Sequence, residues 1–396
     1  MLDDDQPMTP RSLAAVQSVA VILGLCAAPA AAQPAPSVVT LKAPDGLTLR
    51  ATYYSPGKPG PGVVLLHQCN RDRTAWAEFA TAAAMRGYHV IAMDYRGYGE
   101  SEGNRYESPQ EQGPVINEKW PGDVDAAFAW LVAQPDVDRN RIAAAGASCG
   151  VNQSVLLASR HPEVKTVMLL SGNVTAPARE YLRDSAWMPV LAAASHDDGT
   201  ALDGMRWILG WSRNTSNKLV EYEKAGHGTD MFAVEKGMQP LMLDWLDAHL
   251  RNAPLKPVTS QAPAPATPVD AFWTTLTGPG GPAKARVLFD QARGSNSTTA
   301  LFPEPEMNAY GYELLQEGRN DDAIVVFTMN VDAHPQSPNT YDSLADAYLA
   351  AGKRDDALRF AEKTLAMLEK DTATPADFKA QIKESAERKI AELKRW

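Results

Sequence analysis

Two kinds of hydrophobic pattern organise the first two thirds of this chain. Near its start, Val38-Val39-Thr40-Leu41 and Leu47-Thr48-Leu49-Arg50-Ala51-Thr52-Tyr53-Tyr54 alternate around Pro44-Asp45-Gly46. Alternation about such a turn predicts an antiparallel hairpin. Farther on, the apolar runs are continuous, as they are in strands buried on both faces. They are Val63 to Leu66, Val90 to Met93, Ile142 to Ala145, Val167 to Leu170 and Val190 to Ala193, with Leu219 to Tyr222 as a last strand. Between them, helical periodicity covers Trp76 to Arg86, Val124 to Gln134, Val151 to Arg160, Ala201 to Leu209 and Gln239 to Leu250. Gly87, Gly172 and Gly226 stand near element ends. Strands alternating with helices predict an α/β domain over residues 37–251, with a mostly parallel sheet.

The pattern then changes. Residues 252–270 are rich in proline and alanine and lack core-forming side chains, which predicts an extended, semi-rigid linker. Residues 271–303 read as a partly helical connecting segment. From 304 to 396 the chain repeats itself: Gly311 and Ala345, Gly318 and Gly352, and Ala323 and Ala357 are pairs separated by 34 residues. Small residues at those offsets, with Phe327, Pro335, Tyr341 and Tyr348 between them, match the tetratricopeptide pattern. Two units over 304–371 and a capping helix from Pro375 to Trp396 form a smaller all-α domain. Two units are fewer than usually fold alone. Either residues 271–303 supply a degenerate helical pair, or the repeats dock on the first domain.

The chain has 396 residues, 44% of them hydrophobic and 22% charged, which suits a globular protein of two or three domains. A net charge of −10 without a basic run disfavours nucleic-acid binding. Arg11, the apolar stretch from Leu13 to Cys26 and Ala30-Ala31-Ala32 have the order of a secretory signal peptide over residues 1–32. The acidic Asp3-Asp4-Asp5 suggests translation from Met8 as an alternative to Met1, and the large Leu25 argues against a lipid anchor on Cys26. The mature protein, cleaved near Ala32, is expected to be periplasmic or secreted and not membrane-spanning. Cys69 and Cys149 then remain. An exported protein can bridge them and the fold would bring them close, but bridge geometry is demanding, and two small buried thiols are the favoured reading.

Gly146-Ala147-Ser148-Cys149-Gly150 carries the strongest chemical signal. A serine with glycines two residues to either side, between strand and helix, is a nucleophile elbow pattern. A serine nucleophile needs a base, and the base needs an orienting acid, in the chain order serine, acid, histidine. Asp197 and Asp198 follow the strand that ends near Ser195, and His227 lies between glycines after the last strand. His67, His89, His161, His196 and His249 compete for the base role, and position favours His227. Two backbone N–H groups should form an oxyanion hole: that of Cys149, and one after Leu66, assigned to Cys69 with Gln68 as the alternative. Asn70, Arg71 and Arg73 share that loop and read as solvated; an arginine there could also hold a substrate carboxylate. No His, Cys and carboxylate set has zinc spacing, so neither metal nor organic cofactor is expected.

With the elbow, the segment Asp94-Tyr95-Arg96-Gly97-Tyr98-Gly99-Glu100-Ser101 and the run from Asp136 to Ile142 make residues 37–251 resemble an α/β-hydrolase, in particular its dienelactone hydrolase-like branch. The resemblance implies an eight-stranded sheet and a Ser148, Asp198 and His227 triad, since related enzymes place the acid three residues after a small residue at the strand end. The chain departs from that pattern at Gln68, where many members carry glycine, and at Cys149. Only Asn173 to Met188 separate two consecutive strands, which leaves little room for a lid. The implied function is an exported serine hydrolase acting on a small ester or lactone. A serine peptidase of the same fold is the second reading. A third is an envelope scaffold that binds a protein partner through its repeats.

Overall fold

A hairpin of β1 (Ser37–Lys42) and β2 (Thr48–Tyr54) leads into β3 (Gly60–Leu66), β4 (His89–Met93), β5 (Val137–Ala147), β6 (Val164–Leu170), β7 (Val190–Ser195) and β8 (Lys218–Tyr222). The computed structural model describes residues 34–105, 109–199, 201–252, 267–295, 300–372, 374 and 376–395. The signal peptide inferred for residues 1–32 lies outside the described residues. The strands form one sheet in the order β1-β2-β4-β3-β5-β6-β7-β8. The hairpin pairs antiparallel with itself and with β4, and all later neighbours are parallel. At the predicted turn the Ala43 N–H donates to Leu47 at 2.9 Å, and Gly46 takes a φ of 85°. Every residue of β4 and β7 is buried, which is why these segments read as unbroken apolar runs.

The chain order reverses beside β3, which has β4 on one side and β5 on the other. Loops leaving the carboxyl ends of β3 and β5 therefore diverge and leave a crevice between them, where sheets of this kind place their sites.

Helices cover both faces. They are α1 (Ala77–Arg86), α2 (Pro109–Pro114, continued by a wide turn to Lys119), α3 (Trp120–Val132), α4 (Cys149–Arg160), α5 (Ala176–Asp184), α6 (Ala201–Trp211), α7 (Met231–Val234) and α8 (Met238–Leu246, continued to Arg251). Trp120, Val124, Val155, Leu182 and Ile208 join one core, so α3 to α6 lie on one face. Trp76, Phe79, Phe232, Met242 and Leu246 join the core on the other, beneath α1, α7 and α8. Two differences from the sequence reading have local causes. α3 starts at Trp120 rather than Val124, because Pro121 occupies a first-turn position, where its missing N–H costs nothing. α2, which has no apolar periodicity, and the short α5 and α7 are not among the helices that the sequence predicts.

The stretch read as a linker over 252–270 ends earlier. Thr267 caps α9 (Pro268–Thr277), and its hydroxyl and the Asp270 carboxylate exchange hydrogen bonds with each other's backbone N–H. This capping box is visible in the sequence as Thr-Pro-Val-Asp. Next come α10 (Gly281–Gly294), α11 (Glu304–Gln316), α12 (Asn320–Ala333), α13 (Pro338–Ala350), α14 (Arg354–Leu368) and α15 (Ala376–Leu393). The 34-residue repetition extends to the backbone. Gly318 and Gly352 have φ of 74° and 71°. Their N–H groups donate to Leu315 and Leu349, and those of Arg319 and Lys353 to Leu314 and Tyr348.

The helical region contains a further helical pair, α9 and α10, and packs on the first domain. Arg179 of α5, 4% exposed, lies 4.0 Å from the Glu306 carboxylate of α11 and 4.0 Å over the Trp273 ring of α9. Burial pushes the carboxyl groups of Glu306 and Glu313 up to about 7, while the nearby Arg179 opposes that rise. Between α11 and α12, a Cβ on Gly311 would stand 2.5 Å from the Phe327 ring. Gly311→Val should therefore destabilise the protein by about 2 kcal/mol through overpacking. Urea unfolding should show a lower midpoint with an unchanged slope.

Candidate active site

Ser148 ends β5 and begins α4 with a φ of 52° and ψ of −119°. Such a backbone costs about 1–3 kcal/mol for a non-glycine residue and persists only where its surroundings enforce it. The enforcement is visible around it. The Ser148 N–H donates to Leu170 at 2.8 Å. A Cβ on Gly146 would stand 2.0 Å from the Gly150 oxygen, one on Gly150 2.5 Å from the Leu66 oxygen, and one on Gly172 2.4 Å from the Ser148 oxygen. Side chains at those three positions would push the elbow out of shape.

Asp198 follows β7 and accepts from His227 Nδ1 at 2.8 and 2.9 Å through its two oxygens. The adjacent carboxylate has different work. Asp197 accepts from the Ser195 hydroxyl and from the N–H groups of Ala225 and Gly226, the latter two at 3.2 Å. One carboxylate thus holds the imidazole, and the other holds the loop that carries it. The Asp198 hydrogen bond raises the His227 pKa above 6.5, and partial burial opposes that rise. Ser148, Asp198 and His227 line one open cavity of 440 Å³, together with Cys149, Ser171 and Asn173. Among the described residues no hydrogen bond joins the Ser148 hydroxyl to His227; such contacts often tighten only once substrate is bound.

The other histidines are engaged elsewhere. His89 bonds Tyr53 and the Lys58 carbonyl, His161 bonds Asp125, and His196 lies 3.6 Å from Glu221. His249 packs on Trp245. His67 is fully buried; its Nε2 accepts from the Tyr95 N–H at 3.2 Å, so Nδ1 carries the proton and donates to the Gln68 carbonyl at 2.8 Å. Burial lowers its pKa and keeps the ring neutral.

Cys149 lines the Ser148 cavity, and Cys69 sits behind it with a Cα–Cα distance of 5.9 Å. The two are joined by a disulfide, not left as the buried thiols favoured above, and both are only partly buried. The fold brings the two residues close, as the sequence implies, and that they bond depends on how closely the loop after β3 approaches the start of α4. Among the described residues neither the Cys69 nor the Cys149 N–H has a hydrogen-bond acceptor. Gln68, the departure noted above, is buried, and its Oε1 accepts from the Thr229 N–H at 2.8 Å and hydroxyl at 2.9 Å. It ties the Cys69 loop to the His227 loop. Arg73 is not solvated: it is 7% exposed and pairs with Asp94 and Glu100. Arg71 pairs with Asp230 at 2.8 Å, beside a separate 740 Å³ cleft that Asn70 also lines.

Sequence reasoning missed Ser171 and Asn173. Ser171, at the end of β6, shares with Ser148 a positive φ, here 50°, and an apolar run ending in Ser-Gly was the available signal. Among the described residues no group of three or more His, Cys, Asp or Glu side chains is arranged to hold a metal. No described helix is long and apolar enough to cross a membrane.

The eight-stranded, mostly parallel sheet with its sharp turn from β5 into α4 defines an α/β-hydrolase. Residues 45–262, more than half of the chain, match the model of the X-Pro dipeptidyl-peptidase (S15) family, and the chain belongs to that family. An uncharacterised protein of Mycobacterium tuberculosis is 34% identical over 159 residues, 40% of this chain and 52% of that protein. An alpha/beta hydrolase domain-containing protein of Arabidopsis thaliana is 24% identical over 207 residues, 52% of this chain and 58% of that protein. The chain spans about half the length of the curated relatives it matches. A dienelactone hydrolase from Anabaena variabilis superposes with a TM-score of 0.44 and 19% identity, over 55% of this chain and all of that one.

The Asp198 contact predicts a titration. In the folded protein the His227 ring should titrate above 6.5. Because the folded value is the higher one, the pairing contributes stability below 6.5 that is lost as pH rises through the folded value. Asp198→Asn removes the largest cause, so NMR titration of the ring should show its midpoint moving down.

Proposed function

We propose that this chain is an exported serine hydrolase that cleaves an ester-type bond through an acyl-serine intermediate. The observation that carries the reading is the shared cavity: the strained Ser148 and the Asp198-held His227 open onto the same 440 Å³ space. In this reading His227 Nε2 takes the Ser148 proton as Oγ attacks the carbonyl carbon. Asp198 keeps the proton of His227 on Nδ1 and stabilises the imidazolium. The N–H groups of Cys149 and Cys69 receive the oxyanion. The tetrahedral intermediate collapses, His227 passes its proton to the leaving oxygen, and water then repeats the sequence on the acyl-serine.

Substrate class follows from the walls. The cavity is open, and α5, the only helix between β6 and β7, has nine residues. That accommodates a small carboxylic ester or a lactone. The family's name favours a second reading, a peptidase acting on X-Pro peptides. A dipeptidyl-peptidase must hold a free ammonium group, and among the described residues lining the cavity the only carboxylate is Asp198, already paired with His227. This favours the ester. Export is supported by the signal-peptide pattern and by the disulfide, a bond characteristic of oxidising compartments. The helical region is proposed to be a tetratricopeptide-like array that could bind a protein partner. A purely scaffolding role is the reading that catalysis would eliminate.

Ser148→Ala should lower turnover of a short p-nitrophenyl ester by about 10⁴-fold or more while leaving the circular dichroism unchanged. It should also abolish labelling by a fluorophosphonate. An unchanged rate in that variant refutes the assignment, and faster turnover of aminoacyl-naphthylamides than of esters by the intact enzyme would favour the peptidase.

A further inference from the structure

The bond between Cys69 and Cys149 links the two residues read here as the oxyanion donors, and neither the triad nor the family match gives it a task. Cys149 directly follows the nucleophile, and Cys69 lies 80 residues earlier on the loop after β3. The two backbones approach closely at this point. A Cβ on Gly150 would be 2.5 Å from the Leu66 oxygen and 3.1 Å from the His67 oxygen, so the first turn of α4 rests against the exit of β3.

Other ties hold the loop from outside. His67 is bonded to Tyr95, the Gln68 side chain to Thr229, and the Cys69 carbonyl accepts from exposed Arg105 at 3.1 Å. These contacts run to β4, to the histidine loop and to a surface arginine. Among the described residues the side-chain contact that reaches α4, which carries the other donor, is that of the bridged Cys149 sulfur itself, 3.8 Å from the His67 carbonyl. Among the described residues the disulfide is the only covalent link between the two donor segments. An oxyanion hole works only when both N–H groups stand about 2.7–3.1 Å from the developing charge, and a displacement of about 1 Å can cost about a hundredfold in rate.

We propose that the Cys69–Cys149 disulfide is a positioning element of the oxyanion hole, setting the spacing of its two backbone donors, and that full turnover requires this bond. The proposal rests on the serine-hydrolase reading above. It differs from a plain staple in what it predicts: the bond acts on the transition state more than on the bound substrate or on the fold.

The test uses the full mature chain with and without the bond. A phosphine reductant opens the bridge, giving two thiols while water supplies the oxygen of the phosphine oxide; iodoacetamide then caps both sulfurs. Cys69→Ala/Cys149→Ala removes the bond without reagent and without the bulk of the caps. Active sites are counted by fluorophosphonate titration, so that kcat is expressed per competent serine. Opening the bond should lower kcat by about 10- to 100-fold, leave KM within about twofold, and weaken a boronic acid, a tetrahedral mimic, by the same factor as kcat. Circular dichroism should be unchanged, and reoxidation of the uncapped reduced enzyme should restore the rate. An unchanged kcat and boronate affinity in the opened enzyme overturns the proposal and leaves the serine-hydrolase reading intact. Loss of the folded spectrum also overturns it, because the bond is then a staple for the fold. If the bridged enzyme neither labels nor turns over ester, the serine-hydrolase reading fails and the proposal falls with it.

Discussion

The close backbone contact between the end of β3 and the start of α4 is the constraint on which the site depends. Without a side chain at Gly150, the helix comes against the Leu66 carbonyl. With Gly146 and Gly172 equally bare, β5 can turn into α4 in a single strained residue. That residue is Ser148. The sheet supplies the rest of the geometry, because the reversal of strand order beside β3 opens a crevice at the same edge. Strain at one position is thus maintained by packing at several others, and the hydroxyl is presented where the loops after β3, β7 and β8 converge.

Those loops are secured largely by polar side chains. Asp197 grips the backbone at Ala225 and Gly226, and Gln68 spans to Thr229. Asp94 accepts from the Arg73 N–H at 2.8 Å and from the Glu100 N–H at 2.9 Å, which ties the start of α1 to the exit of β4. A Cβ on Gly99 would stand 2.1 Å from the same carboxylate. The segment from Asp94 to Ser101, which first pointed to the fold, therefore has a mechanical purpose: it closes a buried polar network behind the loop of Cys69.

Much of this was legible in the sequence because burial on both faces leaves a plain trace. The apolar runs at Val90 to Met93 and Val190 to Ala193 marked strands within a residue or two of their ends. The glycine-flanked elbow marked Ser148, and chain order pointed from it to His227, whose ring lines the same cavity. The choice between Asp197 and Asp198 was not available from the residues alone, since both are acids after the same strand, and only side-chain direction separates them. The nearness of Cys69 and Cys149 followed from the fold, but whether they bond did not, because bonding depends on an approach set by a glycine one residue away. α2 leaves no trace in the sequence, since Pro-Gln-Glu-Gln-Gly-Pro has neither periodicity nor propensity, and α9 overlaps the proline-rich stretch by three residues, its start marked only by the capping box at Thr267.

The docking of the helical region joins parts of the molecule that are far apart in sequence. α6 contributes Ala201 to the cavity wall at one end, and at the other its Trp207 and Trp211 pack with Trp273 of α9. α5 places Arg179 in the same seam. Cutting the chain after α8 would uncover the Trp207 and Trp211 rings and take Glu306 and Glu313 away from the Arg179 guanidinium. A chain shortened there would therefore present a sticky aromatic face and lose the outer brace of one cavity wall, so the ancillary helices are part of the fold's architecture and not cargo attached to it.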